Sequence, residues 1–154
     1  MSLEVGDRAP EFSLPADGGS EVALNDYKGK PVVLYFYPKD DTSGCTAEAC
    51  AFRDALPDFG KVKAAVIGIS RDSVASHDKF KAKFKLSFPL ASDEDGLVCQ
   101  AYGVWVEKSM YGRKYMGIER STFLIDGKGV IRKVWRKVKV PGHAEQVLEA
   151  AAAL

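Results

Sequence analysis

The sequence contains few of the residues from which metal centres are built. It has two histidines, His77 and His143, which lie far apart, and three cysteines, none of which belongs to a C-x-x-C pair. Structural zinc sites take their ligands from closely spaced cysteines and histidines. The chain offers no ligands at such spacing, and we predict that no metal and no cofactor is required.

Charge of one sign and long apolar runs are also missing. Lys and Arg total 22 against 21 Asp and Glu, so no overall field draws the protein towards nucleic acid or a membrane surface. No apolar run approaches the roughly 18 residues of a membrane span, and the N-terminal stretch MSLEVGDRAPEF lacks the apolar core of a signal peptide. We therefore predict a cytoplasmic protein with no membrane or nucleic-acid partner.

The composition is that of a folded globular protein. A length of 154 residues and a hydrophobic fraction of 46% suffice for one buried core. No repeat, low-complexity linker or domain boundary interrupts the chain. We predict a single domain that spans 1–154.

Apolar runs and turn residues predict alternating strands and helices. Buried strands are expected at 31–37 and 64–70, because both are continuous apolar runs rich in β-branched residues. The other expected elements are two short strands within 11–24, helices from 45 to about 56 and from 73 to about 85, a strand near 88–90, a helix near 97–102, a hairpin over 121–135 and a helix over 143–153. Residues 103–118 are expected to be irregular, and Pro57 to lie outside the first helix. This order implies an α/β fold with a largely parallel central sheet, helices on both faces and antiparallel strands added by the hairpin.

The stretch FYPKDDTSGCTAEACAFR (36–53) has the pattern of a reactive thiol. Cys45 follows a buried strand and a polar turn, and it begins the first predicted helix. Unpaired amide N–H groups and the helix dipole favour an anion there, and the thiolate is the nucleophilic form of a cysteine. Pro38 stiffens the exit from the strand and shields the site from water, and the Thr42 hydroxyl bonds either the loop backbone or a substrate oxygen. A small buried hydrophobe is the alternative interpretation of Cys45, and an ordinary helix cap that of Thr42.

Cys50 lies five residues after Cys45 on the same predicted helix. Five helical residues rise about 7.5 Å and turn through roughly 140°, which separates the two Cα atoms by roughly 8.5 to 9 Å. A disulfide tolerates a Cα separation of up to about 7 Å. Either the two cysteines never bond, or the first turns of the helix unwind during each reaction cycle. A half-buried helix residue is the alternative interpretation of Cys50.

The remaining cysteine and the histidines have simpler interpretations. Cys99 lies in the apolar segment LVCQAY and is typical of a buried structural thiol. An intermolecular disulfide or a secondary redox role is its alternative. His77 lies on the apolar stripe of its predicted helix and His143 precedes the last helix, so we interpret both as structural or capping groups rather than bases.

The residues around Cys45 resemble the active-site pattern of the peroxiredoxins, P-x-x-x-T-x-x-C, formed here by Pro38, Thr42 and Cys45. The strings YFYPKDDTSGCTAEACAFRD, VIGISRDSVASHDKF and GIERSTFLID resemble the branch called bacterioferritin comigratory protein or peroxiredoxin Q. This resemblance implies a thioredoxin-like fold with an N-terminal β-hairpin extension. It also implies a monomer that reduces hydrogen peroxide and alkyl hydroperoxides, with electrons supplied by thioredoxin or a similar dithiol protein.

By the same resemblance, Cys45 is the peroxidatic cysteine, Cys50 is the resolving cysteine of an intramolecular disulfide, and Arg120 is the active-site arginine. A permanent cation with several donors stabilises a thiolate and orients a peroxide oxygen. A surface arginine paired with Glu119 or Asp126 is the alternative interpretation of Arg120.

Two further positions bear on the resemblance. Glu48 matches the branch, and we expect it either to bond Arg120 or a loop amide or to be a solvated helix carboxylate. Ser43 stands where the branch usually has proline. Without the proline the unfolded chain has more conformational entropy, so we expect a less rigid loop and a cost of a few tenths to about 1 kcal/mol in stability. Some members of the branch carry the resolving cysteine on the next helix, but residues 73–85 contain none.

Three other functions are compatible with parts of the sequence. A general thiol–disulfide oxidoreductase normally uses the C-x-x-C spacing that is absent here. The segment IRKVWRKVKV (131–140) carries five basic residues and a tryptophan, a composition that contacts single-stranded nucleic acid in some proteins and forms a solvated strand in many more. A chaperone or a peroxide sensor would use the same thiol chemistry as a peroxidase.

Overall fold

The computed structural model describes residues 3–154 and has a mixed α/β architecture. In chain order the strands are β1 (Ser13–Pro15), β2 (Glu21–Ala23), β3 (Val32–Phe36), β4 (Ala65–Ser70), β5 (Leu90–Ser92), β6 (Trp105–Met110), β7 (Arg113–Ile118), β8 (Ser121–Ile125) and β9 (Ile131–Trp135). The helices are α1 (Ser43–Lys61), α2 (Val74–Phe84), α3 (Leu97–Ala101) and α4 (His143–Ala152). Among the helices that the structure describes, none is long and apolar enough to cross a membrane.

A five-stranded sheet with the order β5-β4-β3-β8-β9 forms the centre of the fold. β3, β4 and β5 are parallel, whereas β8 pairs antiparallel with β3 and β9 antiparallel with β8. The register pairs Val32 of β3 with Ala65 on one side and with Ile125 on the other. This pairing confirms the mixed sheet and the late hairpin predicted from the sequence.

Both faces of this sheet are covered, which explains why β3 is apolar along its whole length. All five residues of β3 are buried, and successive side chains point to opposite faces. Val33 and Tyr35 belong to an apolar cluster with residues of α1, α2 and α4. Val32 and Leu34 belong to a second cluster with residues of β1, β2 and α3. The strand is therefore a rigid base from which the following loop leads into α1.

The first helix is longer than predicted, because α1 runs to Lys61 and contains Pro57. The expectation that Pro57 lies outside the helix is wrong. Proline removes one N–H from the helical ladder and leaves the carbonyl four residues earlier without its partner. Pro57 is on the exposed side of the helix, where water can satisfy that carbonyl, while Phe52 and Phe59 are fully buried and hold both halves of α1 against the sheet.

Residues 103–118 are not irregular as predicted, because β6 and β7 form an antiparallel hairpin within them. The two turn residues, Tyr111 and Gly112, have φ values of 51° and 78°. Positive φ at both central residues is the geometry of the type I′ turn that favours tight hairpins. The sequence pattern did not indicate these strands, because most of their residues are exposed and neither strand shows a regular alternation of buried and exposed side chains.

The other predicted elements are present with shifted ends. β1 and β2 form the N-terminal hairpin expected within 11–24. The third strand of the parallel set lies at Leu90–Ser92 rather than at 88–90. α2 begins after Ser73, whose hydroxyl accepts a hydrogen bond from the amide of Ser76 at 3.1 Å. It ends at Phe84, and the next residue, Lys85, has the left-handed conformation.

Candidate active site

The loop that connects β3 to α1 places Cys45 in the first turn of the helix. Thr42 is the residue that precedes the helix, and its carbonyl accepts the first helical hydrogen bond from the amide of Thr46 at 2.8 Å. The side chain of Thr42 does not cap the helix. The amides of the first turn, including that of Cys45, therefore keep the positive end of the helix dipole unneutralised beside the sulfur.

Arg120 connects Cys45 with Glu48. One guanidinium nitrogen, Nη2, donates to the Cys45 Sγ at 3.3 Å, and the other, Nη1, donates to Glu48 Oε1 at 2.6 Å. Cys45 and Glu48 are each only 1% exposed. The structure thus brings these three predicted residues together, and Arg120 does not pair with Asp126, whose carboxylate contacts Arg132 instead.

Thr42 and Pro38 lie on the outer side of the same loop. The Thr42 hydroxyl donates to the carbonyl of Lys39 at 2.9 Å, so the loop backbone is its partner in this structure. Pro38 lines an open cavity of about 380 Å³, together with Trp105 and Ile118 at the base of the β6–β7 hairpin. The cavity gives an organic molecule space next to the loop that carries the thiol.

Cys50 is half-buried on the same helix, and α1 is continuous between the two cysteines. All three cysteines of the chain are free thiols in this structure. An intact helix holds the Cα atoms of Cys45 and Cys50 roughly 8.5 to 9 Å apart, beyond the reach of a disulfide. In this conformation the two cysteines are therefore too far apart to form a disulfide with each other.

Burial governs the ionisation of the groups around the sulfur. Burial raises the pKa of Glu48 to about 7, although the charge and hydrogen bond of Arg120 act in the opposite direction. Burial also raises the pKa of Tyr35 strongly, with further contributions from Glu48 and Cys45. The pKa of Lys108 on β6 is lowered by burial and by the charge of Arg120.

A known protein family matches most of the chain. The model of the AhpC/TSA family matches residues 5–134. The chain belongs to the AhpC/TSA family.

Its relatives place it in the Bcp, or peroxiredoxin Q, branch of the peroxiredoxins. It is 51% identical to peroxiredoxin Bcp of Bacillus subtilis over 97% of this chain and 95% of the relative, and 46% identical to peroxiredoxin Bcp of Escherichia coli K12 over 95% and 94%. The crystal structure of a cysteine-to-serine mutant of Xylella fastidiosa peroxiredoxin Q is similar, with a TM-score of 0.94 at 46% identity over 99% of this chain and 98% of that chain. The family resemblance noted in the sequence is confirmed. The fold is the thioredoxin-like fold of the peroxiredoxins, and the protein is a peroxidase of this class.

A buried hydrogen-bond network that the sequence did not reveal holds the active-site loop of this peroxiredoxin. Asp40 lies in the middle of the loop, is 7% exposed, and accepts hydrogen bonds from Tyr37 at 2.6 Å and from Ser76 at 2.8 Å. Its carboxylate also lies 2.7 Å from His77 Nδ1, and its amide donates to Asp72 at 2.8 Å. An aspartate in the turn that follows a buried strand is the only sequence signal for this role, and it is a weak one.

His77 is a structural group, as predicted. Burial alone would lower the pKa of His77, but the hydrogen bond and charge of Asp40 outweigh burial and raise it. The second ring nitrogen lies 2.9 Å from the carbonyl of Ala91. Asp40, Asp72 and His77 bring their polar atoms within 4.8 Å of one another, as metal ligands do, but hydrogen bonds to each other and to neighbours already engage these groups.

His143 and Cys99 are also buried structural groups. His143 Nε2 lies 2.8 Å from the Thr122 hydroxyl, and burial, with a smaller effect of Arg120, lowers the pKa of His143 to about 4. Cys99 is fully buried, and burial, followed by the hydrogen bond with Asp93, raises the pKa of this thiol. The structure confirms the interpretation of Cys99 as a buried thiol.

Proposed function

We propose that this peroxiredoxin reduces hydrogen peroxide and organic hydroperoxides through Cys45 as the peroxidatic cysteine and Cys50 as the resolving cysteine. One observation carries the proposal: the Arg120 guanidinium donates to the Cys45 sulfur inside the first turn of α1. A cation and unpaired amides at a helix N-terminus are the surroundings that make a cysteine nucleophilic.

In the first step, the Cys45 thiolate attacks the terminal oxygen of the peroxide. A sulfur–oxygen bond forms, the oxygen–oxygen bond breaks, and the products are a sulfenic acid and water or an alcohol. Arg120 and the amides of the first helical turn stabilise the negative charge that develops on the two oxygens. Thr42 orients the peroxide once its hydroxyl leaves the Lys39 carbonyl.

Pro38 excludes water from the sulfur and borders the cavity in which the organic part of a hydroperoxide would lie. The cavity of about 380 Å³ is lined by apolar residues, among them Trp105 and Ile118, and by the charged residues Arg71, Glu94 and Lys108. The apolar part of this lining supports the inclusion of organic hydroperoxides among the substrates. A related protein, the bacterioferritin comigratory protein of Xanthomonas campestris, has been crystallised as a trapped intermediate and ligand complex that bears on its alkyl peroxide reduction activity.

In the second step, the Cys50 sulfur attacks the sulfenic sulfur, water leaves, and an intramolecular disulfide forms. The step requires the segment 45–50 to leave the helix, because the intact helix holds the cysteines too far apart. Helix ends open at low free-energy cost, and Gly44 and Thr46 are weak helix formers. Thioredoxin or a similar dithiol protein then reduces the disulfide by thiol exchange.

A monomeric state and a cytoplasmic location remain predictions. Size-exclusion chromatography with light scattering of the reduced and oxidised protein tests the first of these.

Cysteine variants test the proposed roles. We expect Cys45→Ser to abolish peroxide consumption, and Cys50→Ser to form the sulfenic acid but to lose turnover with a dithiol reductant. Cys99→Ala is the matched control and should keep turnover. Mass spectrometry after one equivalent of peroxide should locate a Cys45–Cys50 disulfide; peroxide turnover by Cys45→Ser would refute the peroxidatic role, and full turnover by Cys50→Ser would refute the resolving role.

A further inference from the structure

Two acidic groups share one cation in the interior of the site. Arg120 donates to Cys45 Sγ at 3.3 Å and to Glu48 Oε1 at 2.6 Å, and both acids are 1% exposed. The second carboxyl oxygen, Glu48 Oε2, has no hydrogen-bond partner among residues 3–154. Such an oxygen is costly to bury on a carboxylate, because the charged form loses its hydration without replacement.

The groups around this pair offer no second cation to Glu48. Tyr35, which faces it from β3, carries no positive charge in any state. His143 on α4 is neutral near pH 7, since its pKa is lowered to about 4 by burial and then by Arg120. Lys108 faces Arg120 and Cys45 from β6, but it forms no ion pair with Glu48 in the described part of the chain. Among residues 3–154, Arg120 is therefore the one cation that contacts both acids, and no cation contacts Glu48 Oε2.

We propose that Glu48 holds the proton that peroxide reduction consumes, so that it is protonated while Cys45 is a thiolate and ionised after Cys45 has been oxidised. This inference rests on the proposed role of Cys45. It assigns Glu48 a function beyond orienting Arg120. The buried site then contains one negative and one positive charge both before and after the chemical step.

The proton count of the reaction follows from this assignment. The thiolate takes the terminal oxygen of the peroxide, and the leaving oxygen, which would otherwise depart as a strongly basic alkoxide or hydroxide, receives the proton from Glu48. The terminal oxygen keeps its hydrogen as the sulfenic acid. When Cys50 then displaces water, the hydroxyl of the sulfenic acid leaves with the Cys50 proton. Reduced enzyme and hydroperoxide thus give disulfide, alcohol and water with no proton taken from the solvent.

The pKa of Glu48, raised to about 7 by burial against the effect of Arg120, agrees with a group that can carry this proton near neutral pH.

Counting protons with the Glu48→Gln variant tests this inference. The amide keeps the size of the side chain and an oxygen for Arg120, but it holds no exchangeable acid proton. In a weakly buffered solution at pH 7 with a pH indicator, one equivalent of hydrogen peroxide should convert the unmodified enzyme to the disulfide with an uptake of about half a proton, because about half of the Glu48 side chains carry their proton when the pH equals their pKa of about 7. Glu48→Gln should take up about one proton per disulfide, because its lone thiolate enters the reaction without a stored proton.

The ultraviolet absorbance of the thiolate gives the state of Cys45 in both reduced proteins. The inference is wrong if Cys45 of the unmodified enzyme is a thiol at pH 7, or if both proteins take up the same number of protons per disulfide. It is also wrong if Cys45 of the Gln variant remains a thiol although Arg120 has lost its carboxylate partner. A second measurement follows the pH dependence. The uptake of Glu48→Gln minus that of the unmodified enzyme should fall from one towards zero proton per disulfide as the pH is raised and Glu48 loses its proton, and this difference cancels any proton that an ionised Cys50 consumes in both proteins. A difference that does not change with pH would also overturn the inference. If no disulfide forms with Cys45, the proposed function fails instead.

Discussion

Replacing Ala47 by glycine tests whether α1 must open between the two cysteines. Ala47 lies between Cys45 and Cys50 and is exposed, so the substitution removes no packing from the core. Glycine destabilises a helix interior by about 1 kcal/mol relative to alanine. If residues 45–50 leave the helix before the disulfide forms, the open state becomes about fivefold more populated, since about 1.4 kcal/mol corresponds to a factor of ten.

We therefore expect disulfide formation after one equivalent of peroxide to be about fivefold faster in Ala47→Gly, with the rate of sulfenic acid formation unchanged. Rapid mixing, followed by alkylation of the free thiols and mass spectrometry, measures both steps. Ala55→Gly is the control, because it places the same substitution in the same helix about two turns further on; Ala55 also packs partly against the core, so this variant reports the general loss of helix stability and of packing. An unchanged or slower rate for Ala47→Gly, or an equal acceleration by Ala55→Gly, would refute the opening of the segment 45–50.

Three predictions concern buried polar groups. Tyr35→Phe removes a hydroxyl that has no hydrogen-bond partner among residues 3–154, and should raise the free energy of unfolding in urea by about 1 to 3 kcal/mol; a lower stability would show that the hydroxyl is paired. Asp40→Asn removes the charge that faces His77 and should lower the free energy of unfolding by about 3 kcal/mol below pH 6.5. This loss should become smaller as the pH rises through the raised pKa of His77, because the pair stabilises the protein only while the histidine is charged. NMR titration should show a lower pKa of His77 in this variant, and an unchanged value would contradict the pairing. As the pH is lowered, His143 stays neutral in the folded state down to its pKa of about 4, whereas the unfolded state binds the proton at higher pH. The free energy of unfolding should therefore fall by up to about 3 kcal/mol between pH 6.5 and 4. His143→Gln, which can still form a hydrogen bond with Thr122, should remove this part of the pH dependence, and an unaltered pH profile would refute it.

The elements predicted correctly are those whose structure is indicated by residues close to one another in the chain. β3 and β4 are continuous apolar runs because they are covered on both faces, and the stripe through His77 and Phe80 gives α2 its buried side. The wrong predictions concern segments whose structure depends on packing or pairing that the local sequence pattern does not indicate. Pro57 stays inside α1 because buried aromatic residues on either side hold the helix to the sheet, and the β6–β7 hairpin exists because its strands pair with each other rather than because they have an apolar face.

The same division applies to the active site. Pro38, Thr42, Cys45 and Cys50 lie within a short stretch of chain, and the start of a helix, the spacing of the cysteines and the need to unwind are all local properties that can be worked out from the order of the residues. The order of the residues alone therefore indicates which sulfur reacts in our proposal, and it explains why the partner sulfur is out of reach in an intact helix.

The charges that surround that sulfur, in contrast, are brought together by the folding of distant segments. Arg120 is 75 residues from Cys45 in the chain, and it reaches the thiol because β8 pairs with β3 at the centre of the sheet. The burial of Glu48 beside the same guanidinium, and the network around Asp40 that holds the loop, likewise arise from packing between distant segments. The protonation of such groups depends on desolvation and on nearby charges, and both are properties of the folded molecule rather than of the order of its residues.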